Sequence, residues 1–262
     1  MTHIYYFSGT GNSFWSAKQI ASLLGDECRL FSIGIETQKI PPAAHGIRVI
    51  AANAVVFIFP SYALGLPVVV RRFIKSLEIK APYTAALVSF GSYQGGALAE
   101  AARLLGRKKI KLDYAGLIPA VENFIPIFGP PNEKTMRRRL ALQKIATEQC
   151  ALAIKRREIG TIKTFKPFSK AVSLMFHLGL RFMWRWFKIS NACTGCGICA
   201  RVCPAGAINM GNGRPQYSGK CQQCQACVNF CPQKAITLGR ARPGNGRYTH
   251  PEVRAEDFYS KG

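Results

Sequence analysis

Long apolar runs alternate with helical patterns through the first half of the chain. Strands buried on both faces are predicted at HIYYF (3–7), AVVFIF (54–59) and TAALVSF (84–90), with two more at CRLFSI (28–33) and KLDYAGLI (111–118). Helical spacing predicts the intervening helices at 12–24, 67–76 and 96–105. This alternation predicts a doubly wound α/β sheet, which binds ligands at the carboxyl ends of its strands, beside the topological switch point.

A different pattern follows the predicted sheet. Residues 133–157 form a long basic helical stretch, and a linker near 163–167 leads into SKAVSLMFHLGLRFMWRWFK (169–188). Polar residues recur there at three- or four-residue steps, at Lys170, Ser173, His177, Arg181, Arg185 and Lys188. They predict an amphipathic helix, which either packs between two domains or lies in a membrane interface. Its longest charge-free run, 171–180, is too short to span a bilayer.

The composition indicates a folded protein with a large core. The chain has 262 residues, 48% of them hydrophobic, which suits one large domain or two ordinary ones. Four segments are predicted, at 1–160, 161–188, 189–238 and 239–262, the last being a Gly-, Pro- and charge-rich tail that is poorly ordered unless it wraps a domain. The chain enters its first strand without a secretory signal pattern, so we expect a cytoplasmic protein, with peripheral membrane contact as an open alternative.

The charge of the chain is strongly positive. The formal net charge is +23, and cationic residues cluster at 71–72, 107–109, 137–139 and 155–157. Such a surface attracts acidic partners, whether redox proteins, anionic membranes or nucleic acid. No nucleic-acid recognition module is evident in the sequence, so nucleic acid is the least favoured of the three.

Eight of the ten cysteines form two copies of one pattern. Each copy reads C-x-x-C-x-x-C-x-x-x-C-P, starting at Cys193 and at Cys221. Thiolates are soft ligands for iron, and the close spacing lets three sulfurs of one loop reach one cubane. Zinc sites usually use one close pair per half, and disulfides disagree with a reducing compartment. Cys28 and Cys150 lie outside the pattern and are expected to be small buried hydrophobes.

Residues 189–238 resemble bacterial-type ferredoxin domains, in which the fourth cysteine of each run binds the other cluster. The resemblance implies a small α+β domain with two [4Fe-4S] clusters. One cluster would take Cys193, Cys196, Cys199 and Cys231. The other would take Cys221, Cys224, Cys227 and Cys203.

A polar, glycine-rich loop follows the first predicted strand. The loop FSGTGNS contributes Ser8, Gly9, Thr10, Gly11, Asn12 and Ser13. Its hydroxyls, its flexible backbone and the amino end of the next helix suit a phosphate group. It lacks the lysine of a nucleoside-triphosphate loop and the third glycine of a dinucleotide fingerprint. A capped helix entered through a tight turn, with Asn12 or Ser13 as the N-cap, is the plainer alternative.

Residues 4–20 look like the flavodoxin signature, whose loop holds the phosphate of FMN; Ser13 stands where flavodoxins usually have threonine. The resemblance implies a sheet of order 2-1-3-4-5 and two further flavin-contacting loops, PSYALGLP (60–67) and SFGSYQGG (89–96). Their candidate contacts are Pro60, Ser61, Tyr62, Ser89, Phe90, Gly91, Tyr93 and Gly95. Tyr62 and Tyr93 could stack on the flavin ring or pack at the surface edge. Flavodoxins are commonly acidic, whereas this chain is basic, so the usual partners of flavodoxins are not implied for it.

Together the two halves are similar to the flavodoxin–ferredoxin fusion family, the EFR1-type ferredoxins. The resemblance implies an electron-transfer protein that converts between two-electron and one-electron carriers. A flavin-dependent reductase of a small acceptor such as a quinone and a redox-responsive binding protein are the alternatives. No acid–base or nucleophile constellation is evident in the sequence, so no catalytic residue is predicted.

Overall fold

The computed structural model describes residues 1–25, 27–39, 48–124, 129–160, 167–239 and 246–259. Residues 163–166 of the predicted linker fall outside these ranges, as do the side chains of Lys170, His177 and Arg181. The strands are β1 (Thr2–Tyr6), β2 (Cys28–Ser32), β3 (Arg48–Ala51), β4 (Ala54–Pro60), β5 (Leu77–Lys80), β6 (Thr84–Phe90), β7 (Tyr114–Pro119), β8 (Phe187–Ile189), β9 (Ile208–Gly211), β10 (Arg214–Tyr217) and β11 (Ile236–Leu238). The helices are α1 (Asn12–Leu24), α2 (Ile33–Gln38), α3 (Val68–Lys75), α4 (Ala97–Gly106), α5 (Glu133–Lys155), α6 (Pro167–Met183), α7 (Ile198–Arg201) and α8 (Ala226–Asn229).

The N-terminal half is built on a five-stranded parallel sheet of order β2-β1-β4-β6-β7. Numbered among themselves, these strands have the order 2-1-3-4-5 of a flavodoxin-like fold, which confirms the predicted fold class. In the register of the sheet, Ile4 lies between Leu30 on β2 and Val56 on β4. The short parallel pair of β3 and β5 was not predicted, because both strands mix polar and apolar residues without a long run.

Helices cover both faces of the sheet. Successive residues of a strand point to opposite faces, so Ile4 packs on the α1 and α5 side while Tyr5 packs on the side of α3. The predicted helices match α1 at both ends and α3 and α4 to within one residue. Val202, Cys224 and Ala226 from the cysteine-rich region belong to the same core cluster as Tyr5. One core cluster therefore contains residues of both halves.

The cysteine-rich region forms a small α+β unit with two antiparallel strand pairs, β9 with β10 and β8 with β11. Its loops dock on the sheet domain through specific hydrogen bonds. The Gln38 side chain of α2 donates to the carbonyl oxygen of Pro204 (3.2 Å), and the Gln222 side chain accepts from the backbone N–H of Val69 (3.0 Å). These bonds fix how the cysteine loops face the sheet.

The C-terminal tail wraps the molecule across residues 246–259. The backbone N–H of His250 donates to the carbonyl of Thr10 (2.8 Å), and the Tyr248 hydroxyl lies 2.6 Å from Oδ1 of Asn12. The backbone N–H of Tyr248 donates to the side chain of Asn229, at the end of α8 (2.9 Å). The tail thus connects the loop before α1 to the cysteine-rich domain through hydrogen bonds.

Candidate functional site

A cavity of about 450 Å³ opens at the carboxyl ends of β1, β4, β6 and β7. Its volume lies within the range of about 300–1,000 Å³ that is usual for small-molecule and cofactor sites. The lining residues are Ser8, Gly9, Thr10, Asn12, Ser13, Pro60, Ser61, Tyr62, Ala63, Leu64, Ser89, Phe90, Gly91, Ser92, Tyr93, Ala120, Val121, Glu122, Asn123, Phe124, Val172, Phe176 and Gln223. The loops predicted to contact a flavin are therefore brought together in one place.

Two of the predicted contacts lie behind the cavity. Gly11 has φ 102° and packs against His250 and Val253 of the tail, while Gly95 has φ 61° and packs against the backbone of Leu64. Both positive φ values favour glycine. These two glycines shape the loops but are not among the residues that line the cavity.

The loop before α1 presents buried polar groups to the cavity. Gly11, in the left-handed conformation, is the N-cap of α1. Among the described residues no side chain caps this helix end, so the alternative with Asn12 or Ser13 as the N-cap is not observed. Asn12 donates instead to the carbonyl of Val121 (3.1 Å), and the Ser13 hydroxyl pairs with that of Ser89 (2.7 Å). The first N–H groups of α1 therefore remain available for an anion.

Neutral groups dominate the cavity wall. Glu122 is the single charged residue among the described lining residues, and its side chain accepts from the backbone N–H of Ser92 (3.4 Å). A phosphate would therefore be held by hydroxyls, backbone N–H groups and the α1 dipole rather than by a cation. The buried Ser61 hydroxyl has no hydrogen-bond partner among the described residues, which fits a wall that awaits a polar ligand.

The two candidate stacking tyrosines occupy different depths. Tyr93 is 56% exposed at the mouth of the cavity, whereas half-buried Tyr62 reaches inward, with its ring centroid 6.1 Å from that of Phe7. Burial raises the pKa of Tyr62 well above its ordinary value, and the neighbouring Cys224 and Cys221 add to the rise. Its hydroxyl therefore stays protonated and can donate a hydrogen bond.

Part of the cavity wall comes from segments that the sequence reasoning missed. Residues 120–124 follow β7, and the rule that ligands bind at strand carboxyl ends could have identified them. Val172 and Phe176 come from α6, and the Phe176 ring lies 6.4 Å from the ring of Phe124. Gln223 comes from the cysteine-rich domain. No local pattern marks these last three, because only tertiary packing brings them to the cavity.

The eight patterned cysteines line two separate small cavities. The first cavity is bordered by Cys193, Cys196, Cys199 and Cys231. The second is bordered by Cys203, Cys221, Cys224 and Cys227. Each set takes three cysteines from one run and the fourth from the other, which is the crossed arrangement of two-cluster ferredoxins.

The four cysteines that border each cavity are the donor set of a [4Fe-4S] cubane. Within the described residues, no three His, Cys, Asp or Glu side chains converge as the ligands of one ion do. A cubane instead takes one thiolate at each of its four irons, so its ligands stand farther apart. Backbone N–H groups of Ala207, Gln223 and Ala235 donate to the sulfurs of Cys203, Cys221 and Cys231 at 3.3–3.4 Å. Such bonds stabilise thiolates that bind iron.

Burial opposes ionisation of these thiols when no metal is present. It raises the pKa of Cys199 to about 11 and that of Cys221 to about 11. Metal ligands must be thiolates, so binding must release protons from both sites.

The second cysteine set lies directly against the large cavity. A Cβ added at Gly9 would overlap the carbonyl oxygen of Cys224 and would lie 3.0 Å from the Tyr62 hydroxyl. Gln223, one residue before Cys224, lines the large cavity itself. The wall of the large cavity is therefore in direct contact with the wall of the second cysteine cavity.

The two cysteine runs differ at matching positions. Gly195 and Gly197 flank Cys196 with φ of 71° and 72°, whereas Gln223 and Gln225 flank Cys224 with φ of 54° and 61°. The left-handed conformation costs a non-glycine residue about 1 kcal/mol or more. The run beside the large cavity thus has two glutamines in a conformation that is strained for them, at the positions where the other run has glycines that adopt it without strain.

Part of the chain is similar to a known family of domains. Residues 192–236 match the family model described as a 4Fe-4S dicluster domain. No curated protein matches the chain. A flavodoxin of Streptococcus pneumonia TIGR4 aligns at 13% identity and a TM-score of 0.33, over 56% of this chain and 98% of that one. An azoreductase from Bacillus anthracis aligns at 12% identity and a TM-score of 0.39, over 60% of this chain and 100% of that one.

The fold class follows from the strand order of the sheet itself, and the iron–sulfur character of the C-terminal domain follows from the family match. A flavodoxin-like domain and a 4Fe-4S domain in one chain indicate a redox electron-transfer protein.

Proposed function

We propose that this protein transfers electrons between FMN in the large cavity and two [4Fe-4S] clusters in the cysteine cavities. We infer also that the whole chain belongs to the flavodoxin–ferredoxin fusion family. The observation that carries the proposal is the close approach of Gly9, in the wall of the large cavity, to Cys224 of the second cysteine set, with the Tyr62 hydroxyl also beside Gly9. Electron transfer rates fall steeply with distance, so this close approach favours direct exchange between the two sites.

The cavity residues would bind and orient the flavin. Ser8, Thr10 and the amino end of α1 would hold the phosphate, and Tyr62 and Tyr93 would border the ring. Phe124 and Phe176 would exclude water from one side of the cavity. Bound there, FMN would supply the ability to exchange electron pairs with one carrier and single electrons with another.

Burial supports an order for the two clusters. In the second set, Cys224 and Cys227 are buried and one of them touches the cavity wall, whereas Cys196 of the first set is exposed. Electrons would therefore pass between flavin and second set, then between second set and first set, and would leave or enter at the surface near Cys196.

The surface near Cys196 suits an acidic redox protein. Arg201 donates to the carbonyl oxygen of Cys196 (3.1 Å), and Arg201, Arg214 and Lys234 are exposed on this domain. Every charged residue between Glu158 and Glu252 is Lys or Arg. Complementary charge would speed the encounter with such a partner.

Matched cysteine variants test the proposal. Protein purified without oxygen should carry one FMN and about eight irons per chain. In Cys224→Ser, rapid electron transfer from pre-reduced flavin to iron should be lost, as measured by stopped-flow absorbance. In Cys196→Ser that step should persist while reduction of an external acceptor protein is lost. Cys28→Ser, outside both sets, is the control. Absence of FMN, or flavin-to-iron transfer that Cys224→Ser leaves unchanged, would contradict the proposal.

Reduction of a small acceptor such as a quinone is a second candidate function. The observation that favours it is the exposed Tyr93 at a cavity whose wall also includes the apolar Val172 and Phe176 of α6. Rapid steady-state quinone reduction by the loaded protein, unchanged in Cys196→Ser, would support this candidate. Turnover with protein acceptors alone would exclude it.

A further inference from the structure

Helix α6 has one face in the cavity wall and the opposite face in solvent. Val172 and Phe176 line the cavity. The outer face, continued by the 3₁₀ turn Trp184–Trp186, carries large apolar side chains that are each 56–74% exposed. We call this outer face the α6 ridge, formed by Leu174, Met175, Leu178, Phe182 and Trp186. Four of the five recur every four residues, so they form one continuous stripe along the helix.

A soluble surface rarely exposes so many large apolar side chains side by side, and such patches mark interaction sites. The ridge is convex and lies along a helix, so it presents no groove for a partner segment. No helix within the described ranges has the length and apolar character needed to cross a bilayer. A helix of this kind, with Trp, Phe and Leu on one face, suits burial in the interface of a membrane, parallel to its plane.

Charge at the ridge favours an anionic bilayer. The Arg185 guanidinium lies 5.8 Å from the Phe182 ring and 5.2 Å from the Trp184 ring, so the cation sits beside the apolar stripe. Lys188 follows on β8 and is exposed. No Asp or Glu occurs in the sequence between Glu158 and Glu252, so the whole segment around the ridge adds only positive charge. Cations at this position would meet lipid phosphates while the apolar side chains enter the acyl boundary.

We propose that the α6 ridge docks this protein on the surface of an anionic phospholipid bilayer. Because a helix is about 10 Å across, docking would hold the cavity wall at Val172 and Phe176 within one helix diameter of the lipid. The proposal stands apart from the proposed electron route, since the exposed ridge side chains are not among the residues that line the cavity.

Vesicle co-sedimentation tests it, with the full chain purified without oxygen. Vesicles of phosphatidylcholine with phosphatidylglycerol should bind the protein, and high salt should weaken binding. Phe182→Glu should reduce binding by about tenfold or more, because a carboxylate at the ridge opposes both insertion and the anionic surface. The matched control is Leu152→Glu on α5, where the leucine is 53% exposed against 58% for Phe182. Both variants should keep the parent's circular dichroism, since both side chains lie at the surface.

Four results would overturn the proposal. The first is no binding to the anionic vesicles, and the second is equal loss of binding in Phe182→Glu and Leu152→Glu. The third is self-association of the parent, measured by light scattering, that Phe182→Glu abolishes while vesicle binding is absent; the ridge would then be covered by a second copy. An acidic protein that competes for the ridge without vesicle binding would likewise replace the bilayer as the partner.

Discussion

Substitution of Gly9 by alanine should push the loop before α1 away from the cysteine-rich domain. The new Cβ would overlap the carbonyl oxygen of Cys224 and would lie 3.0 Å from the Cβ of Cys224 and from the Tyr62 hydroxyl. The overlapping atom belongs to backbone, which cannot swing aside as a flexible side chain can. The flanking Ser8 and Thr10 are buried, so the loop has little room to retreat. Inserting a methyl group into a filled site typically costs about 1–3 kcal/mol, and we expect this destabilisation here.

Two measurements check this expectation. Denaturant unfolding of protein loaded with its cofactors should show a lower midpoint for Gly9→Ala, and stopped-flow absorbance should show slower electron transfer from flavin to iron at equal FMN content. The control is Gly106→Ala at the end of α4, where an added Cβ meets no heavy atom within 4 Å. That change should leave the free energy of unfolding unchanged or should raise it by up to about 1 kcal/mol, so the midpoint should not fall. If Gly9→Ala matches Gly106→Ala in both measurements, the inferred close contact is wrong.

Three further predictions concern the tail and the second cysteine run. Tyr248→Phe removes the 2.6 Å hydrogen bond to Asn12, so it should cost about 1–2 kcal/mol and lower FMN affinity, measured by flavin fluorescence on dilution. Burial lowers the pKa of His250 from 6.5 to about 4, so the unfolded chain binds this proton more readily. The contribution of neutral His250 to the free energy of unfolding should therefore be fully present above pH 6.5 and should be lost toward pH 4, by up to about 3 kcal/mol. In His250→Gln, the free energy of unfolding should depend less steeply on pH over this range. Gln223→Gly removes the strain of a non-glycine residue in the left-handed conformation (φ 54°), so the free energy of unfolding should stay equal or rise by about 1 kcal/mol. The variant also loses the side-chain amide that lies between the cavity and the Cys221 sulfur, so the rate of flavin-to-iron transfer should change. A lowered unfolding midpoint together with an unchanged rate would contradict this last expectation.

The sequence alone was sufficient for features that depend on neighbouring residues. Apolar runs such as 54–59 and 84–90 identify central parallel strands, because strands covered on both faces contain few polar residues. The bounds of α1 follow from the glycine-rich loop before it and from Gly25 after it. The repeated spacing of the cysteines predicts an iron–sulfur domain, and the family match at 192–236 agrees.

Tertiary structure decided how these parts meet. Gly9 touches Cys224, Asn12 accepts from Tyr248, and Phe176 closes a cavity formed by loops before position 125. Each contact joins residues that are tens to hundreds of positions apart, and neither partner carries a local pattern that names the other. A sequence read alone therefore predicts which cofactors the two halves could hold. Only the packed chain determines that the second cysteine set, rather than the first, adjoins the large cavity, because that choice depends on how the cysteine loops dock against α2 and α3.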